Sequence, residues 1–248
     1  MPTAPKPPNP QPRQRRKEAR PQELLDAALA LFVEKGFAAT RSEEVAARAG
    51  VSKGTLYLYY PSKEELLKAV IRQNLSHVLA AGADVAEGFE GSMAELLATM
   101  LRTWWEHVGG TPAGGIHKII MAEVRNFPEI AEFYSQEVVV PAHDLVSGIV
   151  ERGIERGEFR PVPPHEVTHV LIAPLIFLAL HQHTFGECPI GEHPVEPSRL
   201  IETQIDLVAK VGQHVGGADP HQFLVVDHES ARAARTDIDA KDWNGRSP

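Results

Sequence analysis

Two short apolar stripes, each good for only two or three helical turns, flank the tetrapeptide Ala49-Gly50-Val51-Ser52. This juncture constrains the fold more than any other stretch of the chain. Gly50 can take the positive φ that stops a helix. Val51 plugs the angle between the two segments. Ser52 can cap the next helix and leave its first amides facing outward. Upstream, from about Ser42 to Ala49, the residues Val45, Ala46 and Ala49 make a small apolar face that allows close packing. Downstream, a helix runs through Thr55 to Tyr60 and ends at Pro61. Two short helices locked at a steep angle by a tight turn form a helix-turn-helix, here over residues 41–60.

The flanking sequence supports that reading. In "PQELLDAALALFVEKGF" the residues Leu24, Leu25, Ala28, Leu31 and Phe32 fall on one helical face. Pro21 suits the first turn of that helix and Gly36 its end. Thr40 with Glu43 would form a capping box for the next helix, and Ser42 is an equally good cap. Ser62 with Glu65 supplies the same signal after Pro61, ahead of the stripe Leu66, Leu67, Val70 and Ile71.

Charge points to a partner for this part. Residues 1–80 hold 13 Lys/Arg against 8 Asp/Glu, whereas the remainder holds 12 against 25. A basic part on an acidic chain suggests a polyanion. Lys53 and Thr55 fall at the N-terminal end of the second helix, where such motifs reach base edges. Gly54 lets the backbone approach closely. Tyr57 and Tyr59 can donate their hydroxyls to phosphate while their rings pack. Tyr60, four residues after the inward Leu56, belongs to the core face. Lys63 opens the following helix and can pair with a phosphate.

The stretch "TRSEEVAARAGVSKGTLYLYYPSKEELLKAVI" resembles the DNA-binding motif of TetR-family transcriptional regulators. Val45-Ala46, Ala49 to Ser52, Gly54, Leu56-Tyr57, Tyr59-Tyr60, Lys63-Glu64 and Leu66 carry the resemblance, which spans residues 18–80. Arg41 stands where a small hydroxyl residue is frequent, and Tyr60 where Phe is usual. Arg41 then adds a phosphate or minor-groove contact, with Ser42 beside it as a further candidate. The resemblance implies an all-α chain: a three-helix DNA-binding domain, a linking fourth helix, and a larger helical domain that forms the homodimer and holds a small-molecule effector. It implies a double-stranded palindromic operator as partner.

Beyond residue 80 the pattern stays helical, with expected helices near 92–108, 115–126, 129–156, 164–185 and 195–214. Pro141 starts or kinks one of them. The segment from His117 to Pro161, through "AEVRNFPEIAEFY" and "ERGIERGEFRP", resembles the ligand-binding half of efflux-type, AcrR-like members. The resemblance places the dimer contact on the last two helices, where Ile172, Leu175, Ile176 and Ala179 form a stripe suited to a partner or to the ordinary core. Bulky candidates for an effector pocket are Trp104, Trp105, Met121, Phe127, Phe133 and Phe177, with His107, Arg125 and His181 as polar candidates.

Other chemistries are disfavoured. His181, His183, Cys188 and His193 are the right residue types for a metal, but their spacing is irregular, so no metal is expected. No Gly-x-Ser-x-Gly or phosphate-cradling loop suggests catalysis, and Glu123 and Glu132 read as solvated helix positions. No cofactor is implied. No uninterrupted apolar run reaches the ~20 residues of a membrane span. A single cysteine and the lack of an apolar leader fit a cytoplasmic protein. Residues 1–17 are expected to be a disordered basic tail and residues 217–248 a flexible one, with "QFLVVDH" free to dock. The helical effector and dimer domain is expected over residues 81–216. The expectation is a ligand-responsive repressor. The alternatives are an activator of the same fold, or a small-molecule or metal-binding module that does not regulate.

Overall fold

The computed structural model describes residues 12–186 and 196–212, and every regular element among them is helical. Cys188, His193 and both outer tails, residues 1–11 and 213–248, lie outside the described residues. The metal reading of the Cys188 segment, the tail from 217 and the "QFLVVDH" segment therefore have no structural counterpart here.

The first helix, α1 (Pro12–Lys35), starts inside the segment expected to be disordered. Residues 12–20 are mostly Arg, Lys, Gln, Glu and Ala, which are good helix formers. Pro12 stands at the first position, where its fixed φ fits. Pro21, expected in the first turn, is instead inside the helix. Its missing N–H leaves one i→i−4 bond unmade. The helix persists because Leu24, Ala28 and Phe32 are fully buried just beyond it.

Helices α2 (Ser42–Arg48), α3 (Lys53–Tyr59) and α4 (Lys63–Ile71) complete the head. Helix α4 runs on through a π turn, Arg72–Ser76, into α5 (His77–Glu87), which carries the chain into the second part. There α6 (Met93–Trp104), α7 (Gly115–Glu123), α8 (Pro128–Tyr134), α9 (Val140–Glu155), α10 (Pro164–Phe185) and α11 (Pro197–Gly212) pack together. Further π turns follow: Trp105–Gly109 extends α6, and Ser135–Val139 joins α8 to α9 and places Pro141 at the start of α9. A π turn is the usual way to insert a residue into a continuous helix.

The head does not have a core to itself. One cluster combines Leu24, Phe32, Phe37, Leu56, Leu66 and Val70 of the head with Ile116, Ile119 and Ile120 of α7, Ile130 of α8 and Val138. Phe37 meets Phe127 edge-on with ring centres 5.0 Å apart. Glu123 is buried, not solvated as its sequence context suggested. Its carboxylate accepts from the Ala38 N–H (3.1 Å) and the Asn126 side chain (3.2 Å). It thus ties the end of α7 to the α1–α2 loop and satisfies a backbone donor of that loop.

Helix α10 is long and apolar enough, by length and composition alone, to match a membrane span. Its two faces differ. Leu171, Leu175, Leu178 and Ala179 are buried within the bundle. The stripe marked in the sequence therefore splits: Leu175 and Ala179 are internal core, with Ile172 and Ile176 at its margin. Val170, Phe177 and Phe185, spaced seven and eight residues apart, form a different, exposed apolar face at 70%, 47% and 65% exposure.

Candidate nucleic-acid interface

The turn between α2 and α3 is held by backbone bonds its sequence permits. Val51 N–H donates to the Ala46 carbonyl (2.9 Å) and Gly50 N–H to that of Ala47 (3.1 Å). This is the paired closure of a Schellman motif. Gly50 has φ +66°, with no neighbour near a would-be Cβ. Conformation, not crowding, is what calls for glycine there. Ser52 caps α3: its Oγ accepts from Thr55 N–H at 3.1 Å and lies 2.9 Å from the Thr55 hydroxyl. The first turn of α3 is thereby fixed with its amides outward.

The cap of α2 differs from both sequence alternatives. Arg41 is the N-cap residue, and its N–H donates to Glu44 Oε2 at 3.1 Å. Thr40 is buried, its hydroxyl bonding the carbonyls of Gly36 (2.7 Å) and Leu31 (3.2 Å). Ser42 is buried as well, while Arg41 stays exposed. Ser62 caps α4 by accepting from Glu65 N–H at 3.1 Å, but Glu65 turns to Lys68 and the box is half made.

The exposed face of α3 consists of Lys53, Gly54, Tyr57 and Leu58. Lys53 Nζ pairs with Glu43 of α2 and lies 5.6 Å from the Tyr57 ring centre. The ammonium beside Glu43 holds that carboxyl below the usual range, and the carboxylate raises the lysine in turn. Both groups are solvent-exposed, so the pair is weak and open to exchange with another anion. Gly54 has room for a Cβ, the nearest atom being Ser52 Oγ at 3.8 Å. Thr55 and Tyr59 are half-buried, with Tyr59 and Tyr60 packed on the core; burial raises the Tyr60 phenol. An open groove of about 440 Å³, lined by Thr40, Arg41, Ser42, Glu43, Tyr57 and the residues from Pro61 to Glu64, runs beside this face.

Lys63 is corrected by the structure. Its three N–H groups donate to the carbonyls of Phe37 (2.9 Å), Ala38 (3.2 Å) and Thr40 (3.1 Å), and the ammonium sits 4.5 Å from the Phe37 ring centre. An ammonium has three donors. With all three committed, Lys63 braces the α1–α2 loop in this structure. Leu58 is the residue that sequence reasoning missed. It is 82% exposed on the same face as Lys53 and Gly54. The signal was available: Leu58 lies two residues from the buried Leu56, on the opposite side of a helix.

The effector candidates are not gathered into one place. Met121 (60% exposed), Phe177, His107 and Arg125 lie at the surface. Phe127 belongs to the joint with the head, and Phe133 lies beside Lys68 and Arg72 near α4. Trp105 packs with Leu101, Leu175 and Ile201, and buried His181 lies against Phe177 and Phe185. Only Trp104 reaches a polar centre, through His117, which the sequence reading overlooked. The two rings stack at 5.7 Å. His117 is 4% exposed, and its Nδ1 lies 2.7 Å from the Tyr134 hydroxyl while Nε2 has no partner among the described residues. Burial, with a smaller contribution from His183, pushes His117 down to about 4, and burial pushes the Tyr134 phenol up. The imidazole is thus neutral, with one buried nitrogen unsatisfied.

Residues 24–70 match the family model for bacterial regulatory proteins of the tetR family, and residues 90–192 that for a tetracyclin repressor-like C-terminal domain. The chain is 30% identical over 145 residues to the HTH-type transcriptional repressor KstR2 of Rhodococcus jostii strain RHA1, covering 58% of this chain and 70% of that one. It is 27% identical over 175 residues to the HTH-type transcriptional regulator RutR of Escherichia coli K12, covering 65% and 74%. Its fold is similar to that of the transcriptional regulator FadR from Bacillus subtilis in complex with stearoyl-CoA, with a TM-score of 0.60 at 17% identity, over 76% of this chain and 97% of that one.

Proposed function

The chain belongs to the TetR family of bacterial regulatory proteins, and from that premise we propose that it is a ligand-responsive repressor acting as a homodimer on a palindromic operator in the cytoplasm. The observation that carries the proposal is the exposed face of α3, with Lys53, Gly54, Tyr57 and Leu58 presented over a capped, rigid turn. Lys53 reads a guanine edge, exchanging Glu43 for the base. Tyr57 contacts phosphate, and Leu58 offers an apolar surface to a thymine methyl. Arg41 adds backbone contacts. The exposed apolar face of Val170, Phe177 and Phe185 on α10 is the surface that pairs two copies.

The effector is an apolar molecule with one polar group, which meets Trp104 and the unsatisfied His117 nitrogen. An efflux-type ligand fits that description, and so does a long-chain acyl thioester such as the stearoyl-CoA bound by the similarly folded FadR. Binding lowers operator affinity by favouring a head spacing that the two grooves do not accept.

Selection of bound fragments from genomic DNA, followed by titration of the recovered site, tests this. The expected result is a palindrome whose affinity falls steeply with salt as counterions are released. The double variant K53A/Y57F should lose at least about tenfold in affinity, because a base contact and a phosphate contact go together. Equal binding by that variant would remove both residues from the interface.

A further inference from the structure

Three histidines outside the regions described so far come together across α9 and α10. His165 and His169 are four residues apart on α10, within "HEVTH", and so share one helical face. His143 on α9 reaches both. Its ring centre lies 5.0 Å from that of His165 and 5.1 Å from that of His169. His165 and His169 are exposed and His143 is half-buried, so all three can be reached from solvent.

Those separations have a meaning. Imidazole nitrogens bind a tetrahedral zinc ion at about 2.0–2.1 Å, which sets two such rings about 5 Å apart, centre to centre. Two histidines at i and i+4 on a helix are a common half of such a site. The rings are not yet aimed at a common point: among the described residues no three ligating side chains converge on one. His143 and His165 are stacked, with only 15° between their planes, and His143 and His169 are tilted by 53°. Convergence on one ion requires the three rings to turn about their side-chain bonds. Rotamer changes of exposed side chains are fast and cost little.

We propose that His143, His165 and His169 form a binding site for a divalent first-row transition ion of the zinc class, with water completing the coordination. Imidazole is a suitable ligand for zinc, copper and nickel, and zinc is the reference case because it accepts three nitrogens and a water. The site bridges α9 and α10 and would clamp one helix to the other.

Cobalt(II) titration of the untagged full-length chain, read by visible absorption and followed by zinc competition, tests the assignment. One equivalent should bind and give the intense absorption of low-symmetry, four-coordinate cobalt, which zinc then abolishes. H165A/H169A should lose the signal. H143A should weaken binding by about tenfold or more, the loss seen even when an outer-shell partner is removed. C188S/H193A, which alters the other His/Cys group of the sequence, should bind as wild type. Circular dichroism checks that helix content is kept, and the single H169A gives a milder variant with the same expected direction. Unchanged binding by H165A/H169A, or loss of binding in C188S/H193A alone, overturns the assignment, as does failure of the wild-type chain to bind either ion. None of these outcomes depends on operator binding.

Discussion

The α2–α3 turn and the Trp104–His117–Tyr134 centre answer different physical demands. The turn is built from bonds between near neighbours: Val51 to Ala46, Gly50 to Ala47, Thr55 to Ser52. Its reactive groups point outward, and its ion pair is exposed. The centre is built from residues far apart in sequence, brought together by packing, and its one unsatisfied nitrogen is buried. A surface that must exchange water and a carboxylate for a polyanion keeps its donors wet and loosely held. At the centre, a polar atom is left without a partner among the described residues, at a cost in stability that the proposed effector would offset.

Gly114, close to that centre, is the position where one added carbon should do the most damage. A Cβ there would sit 2.5 Å from the Gly109 carbonyl oxygen, 3.0 Å from that of Val108 and 2.8 Å from His183 Nε2. Backbone atoms cannot give way cheaply, so Gly114→Ala should destabilise the chain by about 2–3 kcal/mol in denaturant titration. A loss below about 0.5 kcal/mol would mean that the approach is looser than the structure has it.

Acid offers the next test. The folded state lowers His117 to about 4, from an ordinary value near 6.5. Folding therefore favours the neutral ring, and the unfolded chain binds the extra proton first. The stability this provides is complete above about pH 6.5 and is lost as pH falls towards about 4. The loss should be roughly 2–3 kcal/mol. H117Q, which keeps an acceptor for Tyr134, should flatten that part of the stability–pH curve. An unchanged slope would place the responsible group elsewhere.

The smallest stability effect belongs to the recognition face. Gly54 lies within a helix with room for a methyl group. Gly54→Ala should leave the chain as stable or more stable, by up to about 1 kcal/mol. Operator affinity should nevertheless drop, because the added carbon stands between backbone and groove. If affinity holds while stability rises, the close approach assigned to Gly54 is wrong.

What could be read from the sequence follows the same division. Gly50, Val51 and Ser52 were legible because each acts on residues within five positions of itself. The α10 boundaries were legible because prolines and a glycine mark them. Lys63 was misread because its partners, Phe37, Ala38 and Thr40, lie 23 to 26 residues upstream. Glu123 was misread because its acceptor role is set by Ala38, 85 residues away. His117 shows no local pattern at all; only packing of α6, α7 and α8 makes it special. The split of the α10 stripe into core and exposed faces also depends on which helices lie alongside.

The joint at Phe37, Ala38, Phe127 and Glu123 has a consequence for modularity. The reading head draws part of its interior from α7 and α8, so it is not a cassette that can be cut out after the linking helix. A hybrid regulator that borrows this head would have to borrow the complementary surface of α7 with it. Grafted onto a foreign effector domain, the head would carry an open seam, with the aromatic edge of Phe37 and the amide of Ala38 left facing water.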